Sequence, residues 1–147
     1  MSSDLQWLLL RKNNSFIVKR VVEGPVFSKE PGNLRNLNSY KYSGLANPKT
    51  IDVSASESGV TITTRKAKAS PNAVAGASAK TVIRPRSGGR RALGVAASVV
   101  KKGYRPDLRA AALARVSALI AAQKEPKPSP PKKLRGKKAL AIEAAPV

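Results

Sequence analysis

Residues 105–123 read RPDLRAAALARVSALIAAQ, and this stretch does most to decide the fold. Pro106 suits the first turn of a helix, and Asp107 complements the positive end of the helix dipole. At 100° per residue, one stripe is apolar and comprises Leu108, Ala112, Leu113, Val116, Leu119 and Ile120. The opposite face carries small residues, namely Ala110, Ala111, Ala114, Ser117, Ala118 and Ala121. The sequence therefore predicts a helix to about Gln123 that packs through its stripe and lets another surface approach closely.

Two arginines lie on this helix at positions where lysine or arginine is unusual. Arg109 falls within the apolar stripe and Arg115 lies at its edge. One interpretation is that Arg109 reaches solvent from the rim of the packed face. The other is that it leaves that face to contact a phosphate.

A second helix is predicted just before the first, over residues 90–102, with Leu93, Val95, Ala96, Val99 and Val100 as its apolar residues. Gly94 weakens it by about 1 kcal/mol relative to alanine. Gly103 ends it. We expect the helical pair, residues 90–123, to pack on a body formed by residues 1–64.

That body is predicted to be a small α+β unit with an antiparallel sheet. Ser3 is the expected cap of a short helix with Leu5, Trp7, Leu8 and Leu9, although a strand is an alternative. The clearest hairpin joins residues 50–53 to residues 60–63, because both segments alternate and are rich in β-branched side chains. Further strands are predicted at residues 16–18 with 21–22, at residues 26–27, and at residues 39–42, where tyrosine alternates with polar residues.

Charge divides the chain differently from hydrophobicity. The 147 residues carry a formal net charge of +20. Residues 1–64 hold 8 basic and 5 acidic side chains, whereas residues 65–147 hold 20 basic and 3 acidic ones. Residues 65–89 are predicted to be a basic extended segment, and residues 124–147 a Pro- and Lys-rich tail that is disordered or ordered by RNA. A compact chain with this imbalance requires a polyanion as its partner.

Several classes of function are disfavoured by composition. The chain has no Cys and no His, and its eight carboxylates are scattered, so we expect neither a metal site nor catalytic residues, and no cofactor. No apolar stretch approaches 18 residues and the N-terminus lacks the pattern of a secretory signal, so no membrane association is expected. We also expect no small-molecule substrate and no homo-oligomer.

Backbone recognition of a structured RNA is the function that the charge favours, because no aromatic signature of an RNA-recognition sheet is present. Trp7 and Phe16 are more often core residues, whereas Tyr104 lies among basic residues and is a candidate for base stacking. The predicted RNA-binding residues are Arg11, Lys19, Arg20, Arg35, Lys41, Lys49, Arg65, Lys66, Lys68, Arg84, Arg86, Arg90, Arg91, Lys101, Lys102, Tyr104, Arg105, Arg109, Arg115, Lys132, Lys133, Arg135, Lys137 and Lys138.

Ordered blocks of sequence resemble a known family. They comprise Leu5-Gln6-Trp7, Arg11, Ser15-Phe16, Lys19-Arg20, Asn33-Leu34, Asn38-Ser39, Tyr42, Gly44-Leu45, Lys49-Thr50 and Tyr104-Arg105-Pro106-Asp107-Leu108-Arg109. Together they resemble the eukaryotic large-subunit ribosomal protein family number twenty-eight over residues 3–123. Residues 66–89 and the tail depart from the family pattern, so RNA contacts there are expected from charge alone.

The resemblance implies a small α+β protein of the 60S subunit that contacts large-subunit rRNA and neighbouring ribosomal proteins. It also implies a cytosolic ribosome as the location, after transit through the nucleus and nucleolus. Two alternatives stay open, a nucleolar assembly factor that shares the domain and a linker-histone-like DNA-binding protein. If the protein is ribosomal, Arg105→Ala and Arg109→Ala should weaken incorporation into the subunit more than Lys137→Ala, because rigidly held charges lose less entropy on binding.

Overall fold

The computed structural model describes residues 2–18, 23–70, 73, 76–101, 103–125 and 128–130. The predicted strand residues Val21 and Val22 lie outside this set, as does most of the tail. Within it, the α+β architecture expected from the sequence is confirmed: a short N-terminal helix, antiparallel sheets and two C-terminal helices.

The N-terminal region is held together by short elements. Helix α1 spans Ser3–Leu10, and its cap is Ser2 rather than the predicted Ser3, because the Ser2 side chain accepts from the Asp4 N–H at 3.3 Å. Strands β1 (Ile17–Val18) and β2 (Phe27–Ser28) pair antiparallel, as the predicted return strand requires. Both strands have only two residues, so loops make up most of this region.

The predicted strand at residues 39–42 is wrong. Residues Tyr40–Tyr42 form a 3-10 turn instead. The Ser43 N–H donates to the Ser39 carbonyl at 2.9 Å, and the Asn47 amide donates to the carbonyls of Tyr40 and Ser43 at 2.7 and 2.8 Å. A side chain that binds two carbonyls of the turn favours it over the strand that aromatic alternation suggests.

A three-stranded antiparallel sheet forms the centre of the molecule. Strands β3 (Ile51–Ser56) and β4 (Gly59–Arg65) form the predicted hairpin, and β5 (Ser78–Ile83) pairs with the other edge of β4. The sequence did not predict β5, which lies in the basic segment 65–89. Its alternation of Ala79, Thr81 and Ile83 against Lys80 and Val82 is too weakly apolar to indicate a strand alone. Pairing with β4 supplies the missing stabilisation.

Two helices cover one face of this sheet. Helix α2 spans Gly89–Lys101, and α3 spans Arg109–Gln123 after a 3-10 turn at Pro106–Leu108. The core lies between the layers and contains Ile51, Val53, Val60, Ile62, Ile83, Ala92, Ala96, Val100, Leu108, Ala112, Val116 and Ile120. The predicted stripe of α3 therefore faces the sheet, with Leu113 and Leu119 partly buried beside it.

A second buried group is polar and sits under the loops before β3. It consists of Ser28, Glu30, Asn33 and Ser43. The Asn33 amide donates to the Glu30 carboxylate at 2.9 Å, and the Ser43 hydroxyl donates to its other oxygen at 3.2 Å. These bonds satisfy a buried carboxylate that would otherwise be costly, so they hold the loops in one arrangement.

Candidate nucleic-acid interface

The predicted RNA-binding residues divide into three groups in the structure. Eight lie outside the described residues, namely Lys19, Arg20, Lys102, Lys132, Lys133, Arg135, Lys137 and Lys138. Eleven are exposed, namely Arg11, Arg35, Lys41, Lys66, Lys68, Arg84, Arg86, Arg90, Arg91, Lys101 and Arg109. Five are partly buried, namely Lys49, Arg65, Tyr104, Arg105 and Arg115. Their RNA contacts stay a prediction, but their environments separate candidates for binding from residues with structural tasks.

The outer face of α2 is the most uniform basic surface. Arg90, Arg91 and Lys101 are exposed on it, at opposite ends of the helix. Between them the exposed positions are small, with Gly94 and Ser98 on the same side. At 1.5 Å per residue, the backbone positions of Arg90 and Lys101 are about 17 Å apart along the helix axis. A polyanion can therefore approach the helix closely and meet cations at both ends.

The turn that leads into α2 extends this surface. Arg84 and Arg86 are exposed there, and Arg84 shares a cavity of about 430 Å³ with Arg91. No acidic residue occurs between Ser58 and Pro106, so nothing along this stretch neutralises the arginines. The N-terminal end of α2 adds the positive partial charge of the helix dipole.

A further basic group surrounds the ring of Tyr104. The Lys49 ammonium lies 5.8 Å from the ring centroid, and Lys49, Arg65 and Lys66 line one cavity of about 520 Å³ together with Tyr104. The residues that form this cavity come from the β3 start, the β4 end and the α2 end. The fold thus places these three charges near the C-terminal end of α2, where Ser98 and Val99 line the same cavity.

The Tyr104 side chain is hydrogen-bonded within the fold and is not simply a ring free to stack on a base. Its hydroxyl accepts from the Thr50 N–H at 3.0 Å and is hydrogen-bonded to the carbonyl of Arg65. Burial raises the pKa of the Tyr104 hydroxyl above its usual value, against the opposing effect of these backbone hydrogen bonds. The ring therefore ties the two ends of the β3–β4 hairpin to the segment between α2 and α3.

Arg105 has an internal task of the same kind. Its guanidinium donates to both carboxylate oxygens of Asp107 at 2.9 and 2.7 Å, and to the carbonyls of Lys49 and Lys41 at 3.0 and 2.8 Å. The hydrogen bond from Arg105 lowers the pKa of the Asp107 carboxyl, although partial burial opposes it. Arg105 therefore positions the segments that carry two other predicted RNA-binding lysines.

Arg115 is also engaged within the fold. Its Nε donates to the carbonyl of Val53 at 2.9 Å, and its Nη1 donates to the carbonyl of Leu34 at 3.1 Å. It thereby connects α3 to an edge strand and to the preceding loop. Arg109, by contrast, is exposed, as the hypothesis of an outward-reaching side chain requires.

Sequence reasoning missed the internal tasks of Arg105 and Arg115. The acceptors of both are mostly backbone carbonyls that lie 56 or more positions away, and a carbonyl has no signature in the sequence. The position of Arg115 at the edge of the apolar stripe was the one available signal.

Among the described residues, no three His, Cys, Asp or Glu side chains come together to hold a metal ion. No helix within the described part of the chain is long and apolar enough to cross a membrane.

Comparison with known proteins identifies the family. The model of the Ribosomal L28e protein family matches residues 5–122. The chain is similar to "Large ribosomal subunit protein eL28" of Dictyostelium discoideum, with 41% identity over 128 residues that cover 84% of this chain and 93% of that protein. It is also similar to the protein of the same name from Schizosaccharomyces pombe, with 35% identity over 86% of this chain and 96% of the relative. The matched region contains all three strands of the central sheet, helix α2 and all but the last residue of α3, and the chain accordingly belongs to the Ribosomal L28e protein family.

Proposed function

We propose that this protein is a structural constituent of the cytosolic large ribosomal subunit that binds rRNA mainly through phosphate contacts and supports translation. Its relatives carry the name of a large-subunit protein. Neighbouring ribosomal proteins and large-subunit rRNA are its partners, and it reaches the ribosome by assembly in the nucleolus. The proposed role is architectural, without catalysis.

The outer face of α2 carries this proposal. Its cations at both ends, its small exposed residues in between and the lack of acidic neighbours in sequence suit a phosphate backbone. The arginines before α2 and the lysines around Tyr104 extend the same surface. Tyr104, Arg105 and Arg115 support it from within, because their polar groups are engaged with the fold.

The test replaces three cations of the α2 face with glutamine, as Arg90→Gln, Arg91→Gln and Lys101→Gln in one variant. Binding of the full chain to large-subunit rRNA is measured as a function of salt. Each lost phosphate contact should reduce the slope of log affinity against log salt by about 0.7–0.9, so the triple variant should lose about 2–3.

The matched control carries Lys12→Gln, Lys29→Gln and Lys124→Gln, which are exposed and lie outside the predicted set. It removes the same charge from other surfaces and should change the slope by less than about 1. Equal losses in both triples would show that the binding is non-specific and overturn the assignment of the face. Presence of the protein in translating polysomes, rather than only in nucleolar precursors, distinguishes the ribosomal constituent from an assembly factor.

A further inference from the structure

The sheet has a second face, which the helices do not cover. Cross-strand partners point to the same side, so the pairs Asp52–Thr63 and Thr63–Lys80 place these three side chains on the face opposite the core. Part of that face is roofed by the loops around Gly32 and Gly44 and forms a cavity of about 360 Å³. That volume falls within the range of about 300–1,000 Å³ found for small-molecule sites.

The cavity combines apolar walls with a few polar groups. Pro31, Leu45 and Ala77 contribute to the walls. Gly44 approaches the Gly32 backbone so closely that an added Cβ would lie 1.9 Å from the Pro31 carbonyl oxygen. Because Gly44 has no side chain, the two loops can pack this closely along the cavity wall. A mostly apolar wall with a few polar groups is typical of ligand sites in proteins.

Two of the polar groups are charged and of opposite sign. Asp52 and Arg65 both line the cavity, and they occupy diagonal positions on β3 and β4. Within the part of the chain that the structure describes, the ion pair formed is that of Arg105 with Asp107, and neither the Asp52 carboxylate nor the Arg65 guanidinium has a hydrogen-bond partner. The cavity therefore presents an acceptor-only group and a donor-only group that are not hydrogen-bonded to each other.

An acidic side chain in this position is unexpected for a phosphate-binding surface. A carboxylate repels phosphate, and this one is partly buried in a chain of net charge +20. A carboxylate can, however, accept two N–H groups from the edge of a nucleobase. Guanine presents two such donors side by side, N1–H and the N2 amine, with the O6 and N7 acceptors on the adjoining edge. Adenine and cytosine offer one amine each, and uracil offers a single N–H between two carbonyls.

We infer that this cavity binds one unstacked guanine base of RNA, with Asp52 accepting from N1–H and N2–H and Arg65 donating to the O6/N7 edge. This inference rests on the proposed rRNA binding. A neighbouring cavity supports it, because Arg65 and Leu45 also line that space together with Lys66 and Asn47. The sugar–phosphate chain of the flipped nucleotide passes there, beside the cations. The sheet face thus adds base selectivity to a surface that otherwise recognises only phosphates.

The experiment measures binding of the full chain to single-stranded uridine heptamers by fluorescence anisotropy at one salt concentration. The central position carries guanine, hypoxanthine, adenine or uracil, and guanosine monophosphate is a separate probe. Wild-type protein should bind the guanine heptamer about tenfold more tightly than the adenine or uracil heptamer. Hypoxanthine lacks the N2 amine and should weaken binding by about threefold or more relative to guanine.

The Asp52→Asn variant should lose the preference for guanine, while its affinity for the all-uridine heptamer should not fall, because the carboxylate that is removed repels phosphate. The control Glu57→Gln changes the net charge equally at an exposed turn and should keep the preference. Should Asp52→Asn fail to fold, the hypoxanthine heptamer still tests the contact with unaltered protein.

Each outcome has one meaning. Equal affinity of wild-type protein for all heptamers, or a preference that survives Asp52→Asn, overturns the guanine site while leaving phosphate binding intact. If guanosine monophosphate binds as tightly as the guanine heptamer, the cavity is a site for a free nucleotide, and the proposal that it binds a guanine of RNA is overturned. Loss of binding to every heptamer and to rRNA contradicts the proposed function itself.

Discussion

Nη2 of Arg105 donates a 2.8 Å hydrogen bond to the backbone carbonyl of Lys41. The same guanidinium reaches the Lys49 carbonyl, and Asp107 holds it in place through both carboxylate oxygens. Four of its five N–H donors are therefore directed into the protein. We therefore expect Arg105 to affect RNA binding indirectly, because it holds the two segments that carry Lys41 and Lys49 in place.

Arg105→Ala should lower the free energy of unfolding by about 2–3 kcal/mol, because it removes several charge-assisted hydrogen bonds at a site where the side chain is 15% exposed. Chemical denaturation measures this. Arg109→Ala is the matched control, since Arg109 begins α3 and is exposed, and it should change stability by less than about 0.5 kcal/mol. Equal losses of unfolding free energy for the two substitutions would contradict a stabilising role of the Arg105 hydrogen bonds.

Incorporation into large subunits should distinguish the two arginines from the tail. Arg105→Ala and Arg109→Ala are each expected to reduce incorporation more than Lys137→Ala. Arg105 holds the segments that carry Lys41 and Lys49 in place, and the position of Arg109 on a helix lowers the entropy that its side chain loses on binding. The salt dependence of rRNA binding then separates their routes. Arg109→Ala should reduce the slope by about 0.7–0.9, whereas Arg105→Ala should lower affinity with the slope nearly unchanged. Sucrose-gradient fractions of cells that express each variant report the incorporation, and equal losses for all three would refute the difference.

The two C-terminal helices and the β3–β4 hairpin were predictable because their signals are local. The stripe from Leu108 to Ile120 repeats at helical spacing, and the β-branched residues of β3 and β4 alternate within a few positions. Strand β5 was not predictable in this way. Its side chains are mostly small or polar, and its stability comes from pairing with β4.

The sequence predicts that the candidate site is basic, but it does not predict which basic residues are exposed and which form hydrogen bonds within the fold. A count of arginines identifies Arg84, Arg90 and Arg91 and also Arg105 and Arg115, which donate to the carbonyls of distant loops. Tyr104 shows the same limit. Its basic neighbours suggest base stacking, while the hydrogen bonds of its hydroxyl become visible only in the fold.

Asp107→Asn should change how stability depends on pH. The Asp107 pKa lies below its ordinary value of 3.8 in the folded protein, chiefly because Arg105 hydrogen-bonds the carboxylate. The resulting stabilisation is present above pH 3.8 and is lost as the pH falls through that value towards the lowered pKa. The carboxylate is 39% exposed, so solvent screening limits the effect at neutral pH to about 0.5–1 kcal/mol.

Unfolding free energies across the acid range measure this effect. The difference between wild-type protein and Asp107→Asn should shrink below pH 3.8. The exposed acid Glu57 provides the control as Glu57→Gln, which should follow the wild-type curve. A difference between wild type and Asp107→Asn that stays constant with pH would show that the charge of Asp107 does not matter.

Tyr104→Phe should lower the free energy of unfolding by about 1–2 kcal/mol while keeping the ring in place. The substitution leaves the Thr50 N–H and the Arg65 carbonyl without the hydroxyl at the ends of the hairpin. Tyr40→Phe is the control, because the Tyr40 hydroxyl bonds only to Ser3 at an exposed position, among the described residues. Thermal and denaturant unfolding should rank Tyr104→Phe as clearly the less stable variant. The reverse order would contradict a stabilising role of the Tyr104 hydroxyl at the ends of the hairpin.

Gly94→Ala should stabilise the protein by about 0.5–1 kcal/mol. Gly94 lies in the interior of α2, an added Cβ would meet nothing within 4 Å, and alanine has the better helix propensity. Gly59→Ala is the opposite case, because Gly59 has a φ of +120° and its Cβ would lie 2.1 Å from the Ile83 carbonyl oxygen. Denaturant midpoints should therefore move in opposite directions. Gly94 also lies on the proposed phosphate-binding face, so rRNA affinity provides a second readout. If the RNA backbone approaches α2 as closely as proposed, the added methyl group should weaken binding.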